Sequence, residues 1–427
     1  MNSKYFIRSW TIALLLLLIT TTGFNYLVDP YGLFATPRIS GFNEKKPTAN
    51  TRVRVVKPYQ VTRIQPHALI VGNSRPEMGL DPTHVCWSAE KRPVYSLTTP
   101  GASVYMQVRQ TQHALSTTPA KLVIVGVDFL DFLVAPENHD DPYQWPPSVS
   151  EFEHRLSITA TGQDNDTYWW QSIKDYMTTA LSLDTLEDSL LTITAQGNIN
   201  ASNQTTLGFN PAKDYLDIIH SEGQAVLFQQ KNDQVISTLL GKNWSIYHTD
   251  HRWSRDFETL KRLMDTSKER DIELILFINP YHAQYLESIR QTGLWPLFEQ
   301  WKRELVKLTN NYTNNSIWDF SGYNTYTTEA APVDKETTDI MKWFWEPAHY
   351  RKELGDLMLV RMLANYCPED TVKAEFGSLV SAANIEQHLV RQQVAAQTYA
   401  TNNPQVVTKI QQLVSQKRNA ENSRVPK

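Results

Sequence analysis

Residues 68–75 read Ala68-Leu69-Ile70-Val71-Gly72-Asn73-Ser74-Arg75. An apolar run with no polar alternation is the pattern of a strand covered on both faces, and Gly-Asn is turn chemistry that ends it. The pattern predicts a buried strand over 67–73, with Ser74 just past its carboxyl end, where the bend turns the hydroxyl toward solvent. The same signal recurs. Val94–Thr98 reads as a short second strand, Lys121–Asp128 (KLVIVGVD) as a third, Ile272–Ile278 (IELILFI) as a fourth, and Ser316–Phe320 as an edge strand. Between them lie helical spacings: 105–116; Phe257, Leu260, Leu263 and Met264; then Phe298, Trp301, Leu305 and Leu308. Strands alternating with helices predict an α/β fold, an α/β/α sandwich with a central parallel sheet. A long segment, about 133–249, interrupts the rhythm with Trp169-Trp170 and a helix through LSLDTLEDSLLTI. In such sheets ligands bind outside the carboxyl ends of the strands, which is where Ser74 falls.

Composition narrows the classes. At 427 residues, 41% hydrophobic and 20% charged, the chain can bury a core, and a formal charge of −4 leaves no broad basic surface for nucleic acid. Cys86 and Cys367 are the only cysteines, too few for a disulfide-built scaffold or an all-thiolate zinc site. Two readings stand for them: one long-range bridge, or two unpaired small apolar residues. HExxH, CxxC and GxxxxGK are absent, so no cofactor and no metal are expected.

The first residues differ from the rest. Trp10–Val28 carries no charge and follows Lys4 and Arg8. That is long enough to cross a hydrocarbon core as one N-terminal transmembrane helix, and the basic flank places residues 1–9 in the cytoplasm and the main domain outside. A cleaved signal peptide is the competing reading. The expected organisation is an anchor at 10–28, a Pro- and Gly-containing linker at 29–57, the main domain at 58–370, and a polar, loosely packed helical extension at 371–427.

A serine nucleophile needs a base in hydrogen-bond reach and an acid to orient that base. Glu346-Pro347-Ala348-His349 has this content. Pro347 is expected to leave Glu346 in a loop, with His349 near the start of a helix through Leu354, Leu357 and Met358. His251, in Thr249-Asp250-His251-Arg252-Trp253, is a lesser candidate base, with Asp250 read as the N-cap of the following helix. His282 lies beyond the fourth strand and either lines a cleft or is an ordinary loop histidine. Trp343, Phe344 and Trp345 form either a stacking wall for a sugar ring or core. Arg75 either binds an anionic substrate group or pairs with a structural carboxylate.

The order of these blocks resembles the SGNH, or GDSL-like, hydrolases, in particular their membrane-anchored, envelope-associated branch. The resemblance runs over most of 60–370. GNSR is similar to the block carrying the nucleophile, here Ser74. The Ser74 backbone N–H and Gly101, in the TTPGAS turn, match the family's oxyanion donors. Gly126-Val127-Asp128 stands where the family has Gly-x-Asn, so either Asp128 is protonated and donates to the oxyanion, or a group such as Asn73 or Asn279 substitutes, or the site is specialised away from fast hydrolysis. Glu346-x-x-His349 stands where the family has Asp-x-x-His. The resemblance implies catalysis by Ser74, His349 and Glu346; Asn73, Arg75, His282 and Trp345 are the candidate substrate-binding residues, with the alternatives above left open. It implies an esterase or O-acyltransferase acting on an envelope polysaccharide or cell-wall polymer, with a membrane-bound acyltransferase as the expected partner. The rival reading is a scaffold or polysaccharide-binding member that has lost the chemistry, and the departures at Asp128 and Glu346 support it.

Overall fold

The computed structural model describes residues 3–135, 151–333, 339–367, 372 and 375–422. Residues 136–150 of the expected insertion, and 371, 373–374 and 423–427 of the expected extension, lie outside the described residues. Five strands, β1 Ala68–Val71, β2 Val94–Ser96, β3 Leu122–Val127, β4 Glu273–Ile278 and β5 Asn315–Asp319, run parallel in the order β2-β1-β3-β4-β5. Strands β6 Phe344–Glu346 and β7 His349–Tyr350 form a separate antiparallel hairpin, and β8 Ser378–Val380 adds antiparallel to β5. The fold is therefore α/β with a mostly parallel central sheet. The strand expected at the edge is not the edge: β8 covers it through Ile317 opposite Val380, a pairing three residues long and too short to announce itself as a sequence pattern.

Register explains why the strands read as apolar throughout. Leu69, Val125 and Leu276 belong to one core layer, and Ile70, Ile124 and Phe277 to the other. Helices α4 Val104–Thr117, α9 Arg255–Glu269, α10 Ala283–Gln291 and α11 Trp295–Thr309 contribute to the first layer. Helix α12 Lys352–Met362 contributes Leu354, Met358 and Leu359 to the second. Each fully buried aliphatic side chain contributes about 1.5–3 kcal/mol, so both faces of the sheet hold it together.

Elsewhere the chain is more tightly packed than its composition suggests. Helix α1 Ser3–Val28 is long and apolar enough to span a membrane. The stretch read as a linker is folded: Tyr31, Leu33, Asn43 and Ala49 are buried, and Lys46 Nζ donates to the carbonyls of Val28 (3.1 Å) and Asp29 (2.5 Å) at the end of α1. Helix α2 Val53–Ile64 and the short α3 Ser74–Gly79 flank β1 in sequence. The interrupting segment supplies α5 Tyr168–Leu181, α6 Leu183–Thr194, α7 Asp214–Glu222 and α8 Gln224–Leu240. The helix expected through LSLDTLEDSLLTI breaks at Ser182, whose Oγ accepts from Asp184 N at 3.1 Å and starts α6. Nor is the C-terminal extension loose. Helix α13 Ile385–Asn402 buries Ile385, Leu389 and Ala396, and α14 Pro404–Asn422 seats Ile410 and Val414 against Ile236 of α8. Apolar residues are sparse there because buried polar groups such as His388 and Gln392 do part of the packing. Cys86 and Cys367 are joined by a disulfide across 281 residues of sequence.

Candidate active site

The turn after β1 is built by three adjacent requirements. Gly72 adopts φ +149°, and a Cβ there would lie 2.5 Å from Pro76 Cγ, so only glycine lets the chain turn this closely onto α3. Asn73 caps α3, its Oδ1 accepting from Arg75 N at 3.0 Å, a cap of about 1 kcal/mol. Ser74 is then the first helical residue, and its Oγ lies 2.7 Å from His349 Nε2.

His349 and Glu346 do not sit in a loop and a helix, as expected. Glu346 ends β6 and His349 begins β7, with Pro347-Ala348 as the hairpin turn and α12 starting only at Lys352. The hairpin brings the two side chains together: His349 Nδ1 is bonded to Glu346 Oε1, and Glu346 Oε2 accepts from Ala348 N at 2.8 Å. With Nδ1–H donated to the glutamate, Nε2 is left as the acceptor facing Ser74. Burial pushes the Glu346 carboxyl up, but His349, Lys231 Nζ at 3.8 Å and the Ala348 N–H outweigh it and hold it below the usual range. Lys231 comes from α8 in the interrupting segment. Sequence reasoning missed it, because a lysine in a polar helix carries no local signal.

The helix that carries Ser74 is locked to the hairpin that carries His349. A Cβ on Gly355 of α12 would lie 1.8 Å from Gly79 O at the end of α3, and a Cβ on Gly79 would lie 1.9 Å from the Tyr350 ring. The disulfide joins the segments that follow α3 and α12. Below Ser74, Glu77 of α3 faces the fully buried Lys57 of α2 at 3.6 Å. Burial raises Glu77 to about 7 and lowers Lys57 to about 8 despite their attraction.

Several expected site residues have other occupations. Asp128 accepts from Arg75 Nη1 at 2.6 Å, from Tyr281 OH at 2.9 Å and from Asn73 Nδ2. A carboxylate receiving three donors offers none, so Asp128 is not an oxyanion donor. Burial and the neighbouring Asp128 hold Tyr281 well above the ordinary phenol range, which keeps it a donor. Arg75 is buried, donates to Ala348 O at 2.8 Å, and lies 5.2 and 5.5 Å from the stacked rings of Tyr281 and Tyr285. It is therefore the structural ion-pair partner and holds the hairpin turn, rather than an anion receptor. Asn73 is spent on the cap and on Asp128, and Asn279 donates to Val127 O at 3.3 Å while accepting from Tyr350 OH at 3.1 Å.

His282 does not line a cleft. It is buried, caps α10 through Gln284 N at 3.2 Å, contacts Glu329 O at 2.8 Å, and is lowered to about 4 by burial. Trp345 is also buried, between Tyr215 at 5.3 Å and the Arg351 guanidinium at 4.5 Å, and Phe344 is core. Trp343 is half-buried, edge-on to Tyr326 at 5.1 Å. His251 lies exposed in a turn at φ +64°. Asp250 binds Arg252 there, and Ser254 occupies the N-cap position of α9.

Gly101 is at φ +62° in an exposed turn, which Thr99 N anchors to Gly72 O at 2.9 Å. Among the described residues, the backbone N–H groups of Ser74 and Gly101 have no hydrogen-bond partner, and no cluster of three His, Cys, Asp or Glu side chains is placed to hold a metal ion. No protein-family model matches the chain, and no curated protein sequence matches it.

Proposed function

We propose that the chain is an SGNH-like serine acyl-ester enzyme, an esterase or O-acyltransferase working outside the cytoplasm on an envelope polysaccharide or cell-wall polymer. The observation that carries the chemistry is the 2.7 Å contact between Ser74 Oγ and His349 Nε2, with Glu346 on the other ring nitrogen. Support for the family comes from block order: Ser74 after β1, Gly101 in the turn after β2, Gly126-Val127-Asp128 at the end of β3, and Glu346-x-x-His349 late in the domain. The polymer substrate and a membrane-bound acyltransferase as partner rest on that resemblance, and the N-terminal helix with its basic flank supports the extracytoplasmic location.

In this mechanism His349 Nε2 takes the Ser74 proton as Oγ bonds to the ester carbonyl carbon. The N–H groups of Ser74 and Gly101 receive the developing oxyanion. Collapse breaks the ester C–O bond, His349 returns the proton to the leaving alcohol, and the acyl group stays on Ser74. Water or a glycan hydroxyl, deprotonated by His349, then attacks the acyl carbon, and the proton passes back to Ser74. Glu346, ionised and buried, holds the imidazole tautomer and stabilises its cation.

The second reading, a non-catalytic scaffold, is favoured by Asp128, since the Arg75–Asp128 pair stands where a donor amide was expected. One experiment separates them. The full chain in detergent is treated with a fluorophosphonate probe and with p-nitrophenyl acetate, beside Ser74→Ala and His349→Ala. Labelling and turnover that vanish in both variants support the enzyme. A folded wild type that neither labels nor turns over supports the scaffold.

A further inference from the structure

Helix α5 is polarised the wrong way round for a surface in water. Asp175, the acid of α5, points inward, receiving Arg155 Nε at 2.7 Å and Tyr59 OH at 2.7 Å, while Lys174 is exposed. The outward stripe of α5 is Trp169, Trp170, Ile173, Met177 and Leu181, with the two tryptophans 74% and 76% exposed. On α6, Leu183, Leu190 and Leu191 are exposed as well, interleaved with the exposed acids Asp184 and Glu187. A large contiguous apolar patch rimmed by polar residues marks an interaction surface.

What covers the patch is indicated by its attachment to α1. Both helices pack on the last two turns of α1, where Thr21, Asn25 and Val28 are buried and the preceding residues are exposed. Asn25 Nδ2 donates to Ala180 O (3.0 Å) and Ser182 O (3.1 Å), and Ser189 Oγ donates to Asn25 Oδ1 (3.1 Å). The one strongly polar side chain in the last turns of α1 is thus satisfied by the helix pair, as a polar group in hydrocarbon must be.

Length fixes the depth. Ser9–Val28 is the uncharged run of α1, and at 1.5 Å per residue it spans roughly 30 Å, matching a hydrocarbon core. Without Thr21–Val28 the run is roughly 18 Å, too short to cross. If α1 spans, the segment gripped by α5 and α6 therefore lies in the outer leaflet, and the helix pair lies there with it. Tryptophans at a helix end and a lysine, Lys174, beside the apolar stripe are the composition of an interfacial helix.

We infer that α5 and α6 are a membrane bracket: the apolar stripe of α5 inserts into the outer-leaflet interface beside α1 and holds the Ser74 domain against the lipid surface. The occupant is the bilayer itself. The inference rests on the reading of α1 as a spanning anchor and is independent of the proposed catalysis. It also favours retention of α1 over cleavage, since removing α1 strips the bracket of its partner.

The test uses the full chain reconstituted in phosphatidylcholine and phosphatidylglycerol vesicles. Both native cysteines are bridged, so Leu15→Cys, Trp170→Cys, Met177→Cys and Val390→Cys each carry one NBD fluorophore. Val390 is an exposed apolar residue of α13, outside the bracket. Doxyl-labelled lipid should quench the probes at 170 and 177 about as strongly as the probe at 15, and iodide on both sides should quench them severalfold less than the probe at 390. If the probes at 170 and 177 behave like that at 390 while the probe at 15 is lipid-quenched, the bracket is overturned and the anchor stands. If the probe at 15 also behaves like that at 390, the spanning reading fails and takes the bracket with it.

Discussion

His349 and His388 each pair with an acid at the carboxyl side of the sheet, His349 with Glu346 and His388 with Asp319 at 2.8 Å. Their surroundings differ in kind. Asp319, the last residue of β5, also receives Lys302 Nζ at 2.7 Å, Gln392 Nε2 at 3.1 Å, Ser321 N at 2.9 Å and Ser321 Oγ at 2.6 Å. All of these groups are buried, and the knot pins α13 to the end of β5. Among the described residues, Glu346 receives only the hairpin's Ala348 N–H and a lysine at 3.8 Å besides its histidine, whose far nitrogen meets a serine hydroxyl. An acid–histidine pair serves chemistry when its charge is left for the histidine and a nucleophile waits on the other nitrogen. When the charge is spent on lysine, serine and amide donors, the pair is a structural clasp.

That contrast can be broken in either half. The largest effect should come from Glu346→Gln, which leaves the imidazole without its orienting anion and should lower kcat on p-nitrophenyl acetate by about 10,000-fold, with a melting temperature close to wild type. Asp319→Asn should do the reverse. Leaving Lys302 buried without its anion should cost about 3–5 kcal/mol by denaturant unfolding, while the protein still folded at low denaturant keeps wild-type kcat. The pH dependence gives a sign. Burial pushes Asp319 up, but Lys302 and His388 outweigh it and leave it below the ordinary value of 3.8. Its stabilisation is therefore complete above that value and fades as pH falls below it, so the wild-type advantage over Asp319→Asn should shrink in acid.

Gly355→Ala tests whether the site depends on close packing at a distance. The added methyl meets Gly79 O, which should cost about 1–3 kcal/mol of stability and, by pushing α3 from α12 and so displacing Ser74 from His349, lower kcat with KM little changed. An unchanged kcat would show that the Ser74–His349 contact tolerates movement of α3. The smallest effect is expected from Lys231→Met. At 3.8 Å and partly exposed, this lysine only assists Glu346, and its loss should cost about tenfold in kcat at low salt, less at high salt. A loss as large as that of Glu346→Gln would make Lys231 part of the machinery.

The sequence determined the strands of the parallel sheet, because both-face burial demands unbroken apolar runs such as 68–71 and 122–125. It also singled out Ser74, His349 and Glu346, since turn chemistry after a strand and an acid three residues from a histidine are local patterns. Tertiary structure alone decided how every other polar group is used. Arg75, Asp128, His282 and Trp345 look available in a linear reading, but their partners, Tyr281, Ala348 O, Glu329 O and Tyr215, lie elsewhere in the chain. The pairing of Cys86 with Cys367 and the covering of β5 by β8 depend likewise on separations the sequence does not encode locally. Periodicity reports whether a side chain is buried; only the assembled fold supplies the hydrogen bonds that decide whether a buried acid, base or cation is spent or free to act.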